Sequence, residues 1–289
     1  MDDAMQDFER LVDEMRPQLH RYCTRMTGSV IDGEDILQDA LLKAFTARES
    51  FPQLDNPRAW LYRIAHNASL DFLRLSKRRP ETEGDETLVA VVAPDLPDPE
   101  IAQACLGMLM HLPAMQRSAV ILRDVLGHSL AESAVITASS EPAVKSALQR
   151  ARERLRALSR QAATPAAVPM PAAVSERLAA YVGGFQVGDF DAIRSMLAED
   201  VQLELVTKFR RSGKREVADY FTAYAKATQW VFSAGVVEGL GVMLVFDRGA
   251  SLEVPAYFVA LEFSGDHVVQ IRDFLYARYV MDSAVLQVL

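Results

Sequence analysis

The sequence predicts a multidomain chain in which two all-α segments precede an α+β cone. Three observations carry this expectation. Residues 32–79 hold two amphipathic helical patterns joined by a Phe/Pro loop, and residues 113–160 hold a capped helix-turn-helix pattern ending in a basic helix. Residues 174–289 then pass from helical to strand-like periodicity. At 289 residues and 50% hydrophobic, the chain is long enough to bury two or three small cores.

In the first segment, Asp32 reads as an N-cap, with Asp35 a capping-box-like partner three residues on. Ile36, Leu37, Ala40, Leu41, Ala44 and Phe45 recur at helical spacing and are assigned to a core. Asp35, Gln38, Asp39 and Leu42 recur at i, i+3, i+4 and i+7, so they share another flank. A leucine among carboxylates supplies apolar area ringed by directional charge, as a docking surface needs. A solvated acidic face carrying one leucine fits the same spacing. Pro57 suits the first turn of the next helix, whose buried stripe is Leu61, Ile64, Ala65, Ala68, Phe72 and Leu75. Trp60, Arg63, Asn67 and Arg74 fall on a separate flank. There arginines can hold phosphates, Asn67 can read a base edge, and Trp60 can stack an unpaired base. The Lys77–Arg79 cluster equally complements the helix dipole.

The run Asp32-Gly-Glu-Asp-Ile-Leu-Gln-Asp-Ala, then Pro57-Arg-Ala-Trp-Leu-Tyr-Arg-Ile-Ala-His-Asn, resembles region 2 of the extracytoplasmic-function sigma factors of bacterial RNA polymerase. The resemblance implies that the acidic helix grips the clamp coiled coil of the polymerase core through Asp35, Gln38, Asp39 and Leu42. It also implies that the loop and following helix melt and read a promoter −10 element. Phe51, Asn56, Arg58, Trp60, Arg63 and Asn67 are the candidates for that contact.

In the second segment, Pro113 opens a helix over 114–125 that stops at Gly127, and Ser129 with Glu132 forms a capping box. Ala138, Ser139 and Ser140 make a turn, and the last helix has Pro142 in its first turn. That helix buries Val144, Leu148, Ala151, Leu155 and Leu158, and carries net charge +5 from Lys145, Arg150, Arg152, Arg154, Arg156 and Arg160 against Glu153. This is the layout of a helix-turn-helix whose final helix enters the major groove by its N-terminal end. Leu112-Pro-Ala-Met-Gln-Arg and Ser146-Ala-Leu-Gln-Arg-Ala-Arg resemble sigma region 4, which reads the −35 element and meets the polymerase flap. Ser140, Glu141, Lys145, Ser146, Gln149 and Arg150 are the candidates there, with Arg150, Arg152 and Arg154 placed for phosphates. The segment departs from the family's pattern where Ser133 and Thr137 stand at usually apolar positions and Ala138 replaces a turn glycine.

The net charge of −8 looks wrong for a DNA-binding chain until it is divided. Residues 1–80, 81–165 and 166–289 sum to −1, −3 and −4, while basic charge is concentrated on two helices. A sigma factor tolerates this because polymerase supplies most phosphate contacts; a stand-alone repressor does not. Only Cys23 and Cys105 occur, without a CxxC pair, so free thiols and no zinc site are expected. There is no apolar run long enough to span a membrane, and the acidic Met1–Arg10 stretch is no signal peptide. The expectation is therefore a cytoplasmic protein, monomeric when free, with promoter DNA and polymerase core as partners and no cofactor.

The chain divides accordingly into 1–80, an acidic Pro-rich linker at 81–100, 101–160, an Ala/Pro linker at 161–173, and 174–289. In the last part, helices are expected at 174–185, 191–197 and 215–225, with Gly188-Asp189 ending one and capping the next. Strands at 201–206, 230–237, 242–246, 255–263 and 267–279 then build a curved antiparallel sheet. Ala180-Tyr-Val-Gly-Gly-Phe-Gln-Val-Gly-Asp-Phe-Asp-Ala-Ile resembles the opening of SnoaL-like, NTF2-like domains, which implies a fused module that regulates the sigma part. Tyr181, Tyr224, Trp230, Glu204, Asp219, Tyr257 and Tyr276 are candidates to line a cone cavity holding a small ligand, although such aromatics commonly form core. The loop Lys208–Arg215 carries five cations that fit either a contact with acidic segments or DNA, or a solvated hairpin tip. The apolar tail 284–289 is expected to pack on a neighbouring domain. Two other functions stay open: a ligand-responsive repressor, which requires a dimer and a palindromic site, and a bifunctional protein whose cone is enzymatic.

Overall fold

The computed structural model describes residues 2–76, 107–159 and 170–289. The linker at 81–100, most of that at 161–173, Cys105, Arg160 and the Lys77–Arg79 cluster lie outside the described residues. The chain divides into two compact units, residues 1–165 and 166–289, and the two helical segments share the first.

The first unit is all helical: α1 (Asp2–Thr27), α2 (Val30–Thr46), a 3₁₀ segment (Arg48–Gln53), α3 (Pro57–Ser76), α4 (Ala114–Val120), α5 (Leu130–Ile136) and α6 (Glu141–Ser159). Phe8, Met15, Leu19 and Tyr22 of α1, Leu37 and Leu41 of α2, and Leu61 of α3 are buried together. Each large apolar side chain removed from water in this way contributes about 1.5–3 kcal/mol. The start of α2 corrects the expected cap. Ser29, not Asp32, is the N-cap, its hydroxyl accepting the Asp32 N–H at 3.1 Å. Gly33 therefore lies inside the helix, where a Cβ would stand 2.4 Å from Thr24 Oγ1 and 2.8 Å from its backbone. Glycine is required there because α1 and α2 touch at that point, not because a helix begins.

In the second half of this unit, α4 runs into one wide π turn (Ile121–Val125) before Gly127. The capping box at α5 forms as expected, Ser129 accepting from Glu132 N–H at 3.1 Å and Glu132 accepting from Ser129 N–H at 2.8 Å. Ser133 and Thr137 are buried yet satisfied, donating to the carbonyls of Ser129 and Ser133 at 2.8 and 2.7 Å. Ala138 sits at φ +49°, in the left-handed region that favours glycine. Buried polar contacts join α4 to α1 and α3. Tyr22 Oη shares hydrogen bonds with His66 Nδ1 at 2.7 Å and Ser118 Oγ at 2.9 Å. The Arg117 guanidinium donates to the carbonyl oxygens of Met26, Met110 and Leu112.

The second unit holds α7 (Ala172–Val187), α8 (Phe190–Ser195), β1 (Leu197–Leu205), β2 (Phe209–Ser212), α9 (Lys214–Lys226), β3 (Trp230–Val237), β4 (Leu240–Asp247), β5 (Tyr257–Ser264), β6 (His267–Asp273) and β7 (Leu286–Val288). Gly188 ends α7 at φ +73°, and Asp189 caps α8 by accepting the Ala192 N–H at 3.0 Å. One seven-stranded sheet, in the order β2-β1-β6-β5-β4-β3-β7, wraps a core of Tyr181, Phe185, Phe221, Met243, Val245 and Ile271. The architecture is the expected α+β cone, with three corrections. The sheet is mixed, since β1 and β6 run parallel. The last long strand ends at Asp273, where the Asp273 carboxylate accepts the Leu275 N–H and turns the chain. The tail adds β7 as an edge strand on β3 of its own sheet. Within the expected hairpin tip, Phe209–Ser212 pairs with β1 as the other edge strand.

Candidate functional site

A groove of about 490 Å³ runs between α2 and α3, lined by Asp35, Ile36, Asp39, Lys43, Ala68, Asp71, Phe72, Arg74 and Leu75. Of the expected docking flank, Asp35 and Asp39 line it. Leu42 is 68% exposed, and Gln38 is half-buried with its amide donating to Glu34 Oε1 at 3.3 Å. The structure adds two residues that helical periodicity assigned elsewhere or passed over. Leu75, expected in the core stripe, is 63% exposed, because α3 leaves its last turn beside the open groove. Asp71 brings a third carboxylate, paired with Arg74 at 3.2 Å and Lys43 at 3.9 Å. The groove thus combines apolar walls with acidic rims.

The six −10 candidates fall into two groups. Arg63 and Asn67 are exposed and Trp60 is half-buried on α3, away from the groove lining. The others already carry structural contacts. Asn56 caps α3 by accepting the Ala59 N–H at 2.9 Å, Arg58 pairs with Glu14, and the Phe51 ring stands edge-on to Phe8 at 5.3 Å. The six −35 candidates share one surface: Ser140, Glu141, Lys145, Ser146, Gln149 and Arg150 are all exposed around the start of α6. Val144, Ala147, Leu148 and Ala151 hold the opposite side in the core. Arg152 is committed elsewhere, its guanidinium fork gripping Asp124 at 3.0 and 2.5 Å.

In the cone, Tyr181, Tyr224 and Tyr257 are buried, Trp230 is half-buried, and Asp219 and Tyr276 are exposed. Glu204 is buried but bound to Arg272 Nε at 3.0 Å and to Arg210 at 2.8 and 3.0 Å. The polar centre is a residue the sequence left unremarked. Asp273, fully buried, accepts from Tyr220 Oη at 2.8 Å and Tyr224 Oη at 2.7 Å, and Tyr224 Oη lies 2.8 Å from Tyr257 Oη. Burial raises the Asp273 carboxyl above its ordinary range and pushes the tyrosine hydroxyls up as well. Among the described residues no group of His, Cys, Asp and Glu converges to hold a metal ion, and no helix is long and apolar enough to cross a membrane.

Residues 11–79 match the family model of sigma-70 region 2, and residues 102–155 match that of sigma-70 region 4. The sequence is 28% identical over 306 positions to the extracytoplasmic-function sigma factor SigG of Mycobacterium tuberculosis, covering 95% of this chain and 82% of that protein. It is 38% identical over 148 positions to SigM of the same organism, covering 51% of this chain and 74% of that one. The crystal structure of M. tuberculosis SigJ aligns with 90% of this chain and 93% of its own at 22% identity, with a TM-score of 0.36.

Proposed function

The chain belongs to the extracytoplasmic-function sigma factors of RNA polymerase, and we propose how its parts divide that function. The α2–α3 groove docks the polymerase core through Asp35, Asp39 and the exposed Leu42, with Gln38, Asp71 and Leu75 at its edges. The outward flank of α3 engages the −10 element through Trp60, Arg63 and Asn67, supported by Phe51 and Asn56 in the preceding segment and by Arg58 in the first turn of α3. The exposed start of α6, from Ser140 to Arg150, reads the −35 element, and the C-terminal cone modulates the sigma part, with a small ligand in its pocket. The observation that carries this reading is the separation on one helix pair between an acidic, leucine-rimmed groove and an Arg/Asn/Trp flank. One surface suits a helical protein partner and the other suits unstacked bases and phosphates.

Run-off transcription with sigma-free core polymerase tests it, comparing the full chain with one ending at Arg160. Both are expected to give promoter-specific transcripts in different amounts, and equal amounts would remove the regulatory role of the cone. Asp39→Ala with Leu42→Ala is expected to weaken core binding about tenfold or more. Arg63→Ala with Asn67→Ala is expected to spare core binding and lose open-complex formation. Loss of both properties in either variant would contradict the division. The Asp273 carboxylate is sealed among tyrosine hydroxyls with no exposed surface, which favours a structural group over a catalytic base.

A further inference from the structure

A cavity of about 530 Å³ opens in the C-terminal unit between the ends of α7 and α9 and the start of β3. That volume lies within the range of small-molecule sites. Its walls are aromatic: Phe185, Phe190, Tyr224, Trp230 and Phe232. Tyr224 turns its hydroxyl away, donating to buried Asp273 and accepting from Tyr257, so the ring is what the cavity receives. The Gln186 amide is also committed, donating to the Phe232 carbonyl at 3.0 Å. These bonds fix two walls before anything binds, which lowers the ordering cost of a ligand.

Arg248 is the one charged residue in the cavity's lining, and the Arg278 guanidinium stands 5.6 Å from the Trp230 ring centroid. Arg248 lines the cavity at the end of β4, is exposed, and has no carboxylate partner among the described residues. Its backbone N–H donates to Gln229 O at 2.9 Å, and this bond pins the residue beside Trp230. An unpaired guanidinium at the edge of an aromatic-walled cavity favours an anion.

We infer that the C-terminal unit binds a small amphipathic organic anion, its aromatic or acyl body against the Phe185–Tyr224–Trp230–Phe232 walls and its carboxylate or sulfonate on Arg248. This rests on the reading of the cone as a regulatory module and names the chemistry of its effector.

The test uses the full chain and two probes with the same rings, 8-anilinonaphthalene-1-sulfonate and the uncharged N-phenyl-1-naphthylamine, followed by fluorescence and calorimetry. Saturable binding of one sulfonate probe per chain is expected. Arg248→Ala should weaken the sulfonate probe about tenfold and leave the neutral probe unchanged, since a lost charge-assisted contact costs about that factor. Ala227→Trp, at the cavity wall, should abolish both, with the thermal midpoint of each variant confirming that it folds. Binding of many probes per chain, or sulfonate binding indifferent to both substitutions, would overturn the inference. Binding retained by the chain ending at Arg160 would overturn it as well. Failure of the regulatory reading is seen separately, as equal transcript yields from full-length and shortened chains despite normal probe binding.

Discussion

Each unit buries a polar cluster built on tyrosine hydroxyls, and the two clusters are built on opposite electrostatic principles. In the helical unit, Tyr22, His66 and Ser118 are bonded without a formal charge, and burial holds the His66 imidazole neutral by lowering its pKa from 6.5 to about 4. In the cone, a carboxylate is the hub and tyrosine hydroxyls converge on it. The first arrangement ties together helices far apart in sequence, α1, α3 and α4. The second stiffens the wall of a cavity. A neutral cluster loses about 1 kcal/mol per missing bond, whereas a buried carboxylate leaves several donors stranded when it is removed.

The sharpest way to break this comparison is to remove the hub. Asp273→Leu leaves the Tyr220 and Tyr224 hydroxyls buried without their acceptor and is expected to cost about 3–5 kcal/mol of stability in the cone. Asp273→Asn retains an acceptor oxygen and should cost about 1–2 kcal/mol. Urea unfolding followed at Trp230 in a Trp60→Phe background reads the cone alone, since the chain holds only these two tryptophans. A leucine variant as stable as the parent would show that the tyrosines do not depend on the carboxylate.

Acid should separate the clusters by sign. His20 and His66 both fall from 6.5 to about 4 on folding, chiefly through burial. Between those pH values the unfolded chain binds protons that the folded chain refuses, so stability is lost as pH falls from 6.5 towards 4. At pH 5 the loss is about 2 kcal/mol per histidine. Asp273 shifts the other way, its carboxyl raised by burial. Its contribution is complete below the unfolded pKa and is lost as pH rises through the folded one, so acid favours this group. Thermal unfolding from pH 7.5 to 5, read at Trp60 or at Trp230 in single-tryptophan variants, should show the helical unit weakening faster. If His66→Gln and His20→Gln variants keep the parent's pH slope, other groups carry it.

The same contrast explains what the sequence disclosed. Local signals were legible: the Ser129/Glu132 capping box and the Gly188-Asp189 junction act within a few residues of one another. The basic, outward start of α6 was legible too, because Val144, Leu148 and Ala151 repeat at helical spacing and leave the other flank exposed. What depends on long-range approach was hidden. Asp273 lies in a strand-like run, and its partners Tyr220 and Tyr224 are 53 and 49 positions away. The need for glycine at position 33 was hidden because the nearness of Thr24 is a tertiary fact. Leu75 continues the buried stripe of α3 in periodicity, but the groove beside it is open. Of the groove's lining, Asp35 and Asp39 were therefore readable in the sequence, and Asp71 and Leu75 were not.

The smallest expected effect tests a departure visible from the start. Ala138 ends α5 at φ +49°, its N–H reaching Val135 O at 3.3 Å while Ser139 N–H reaches Ala134 O at 2.9 Å. That geometry crowds a Cβ against the following carbonyl, a cost of about 1–2 kcal/mol that glycine escapes. Glycine also gives the unfolded chain more freedom, which offsets about 0.5–1 kcal/mol of the gain. Because the Ala138 methyl is exposed, no packing is lost. Ala138→Gly should therefore raise the stability of the helical unit by up to about 1 kcal/mol, measured as a shift in urea midpoint at constant slope. It should leave −35 affinity unchanged, because the α6 surface keeps its position. A lower midpoint would mean that the alanine restricts the unfolded turn more than it strains the folded one.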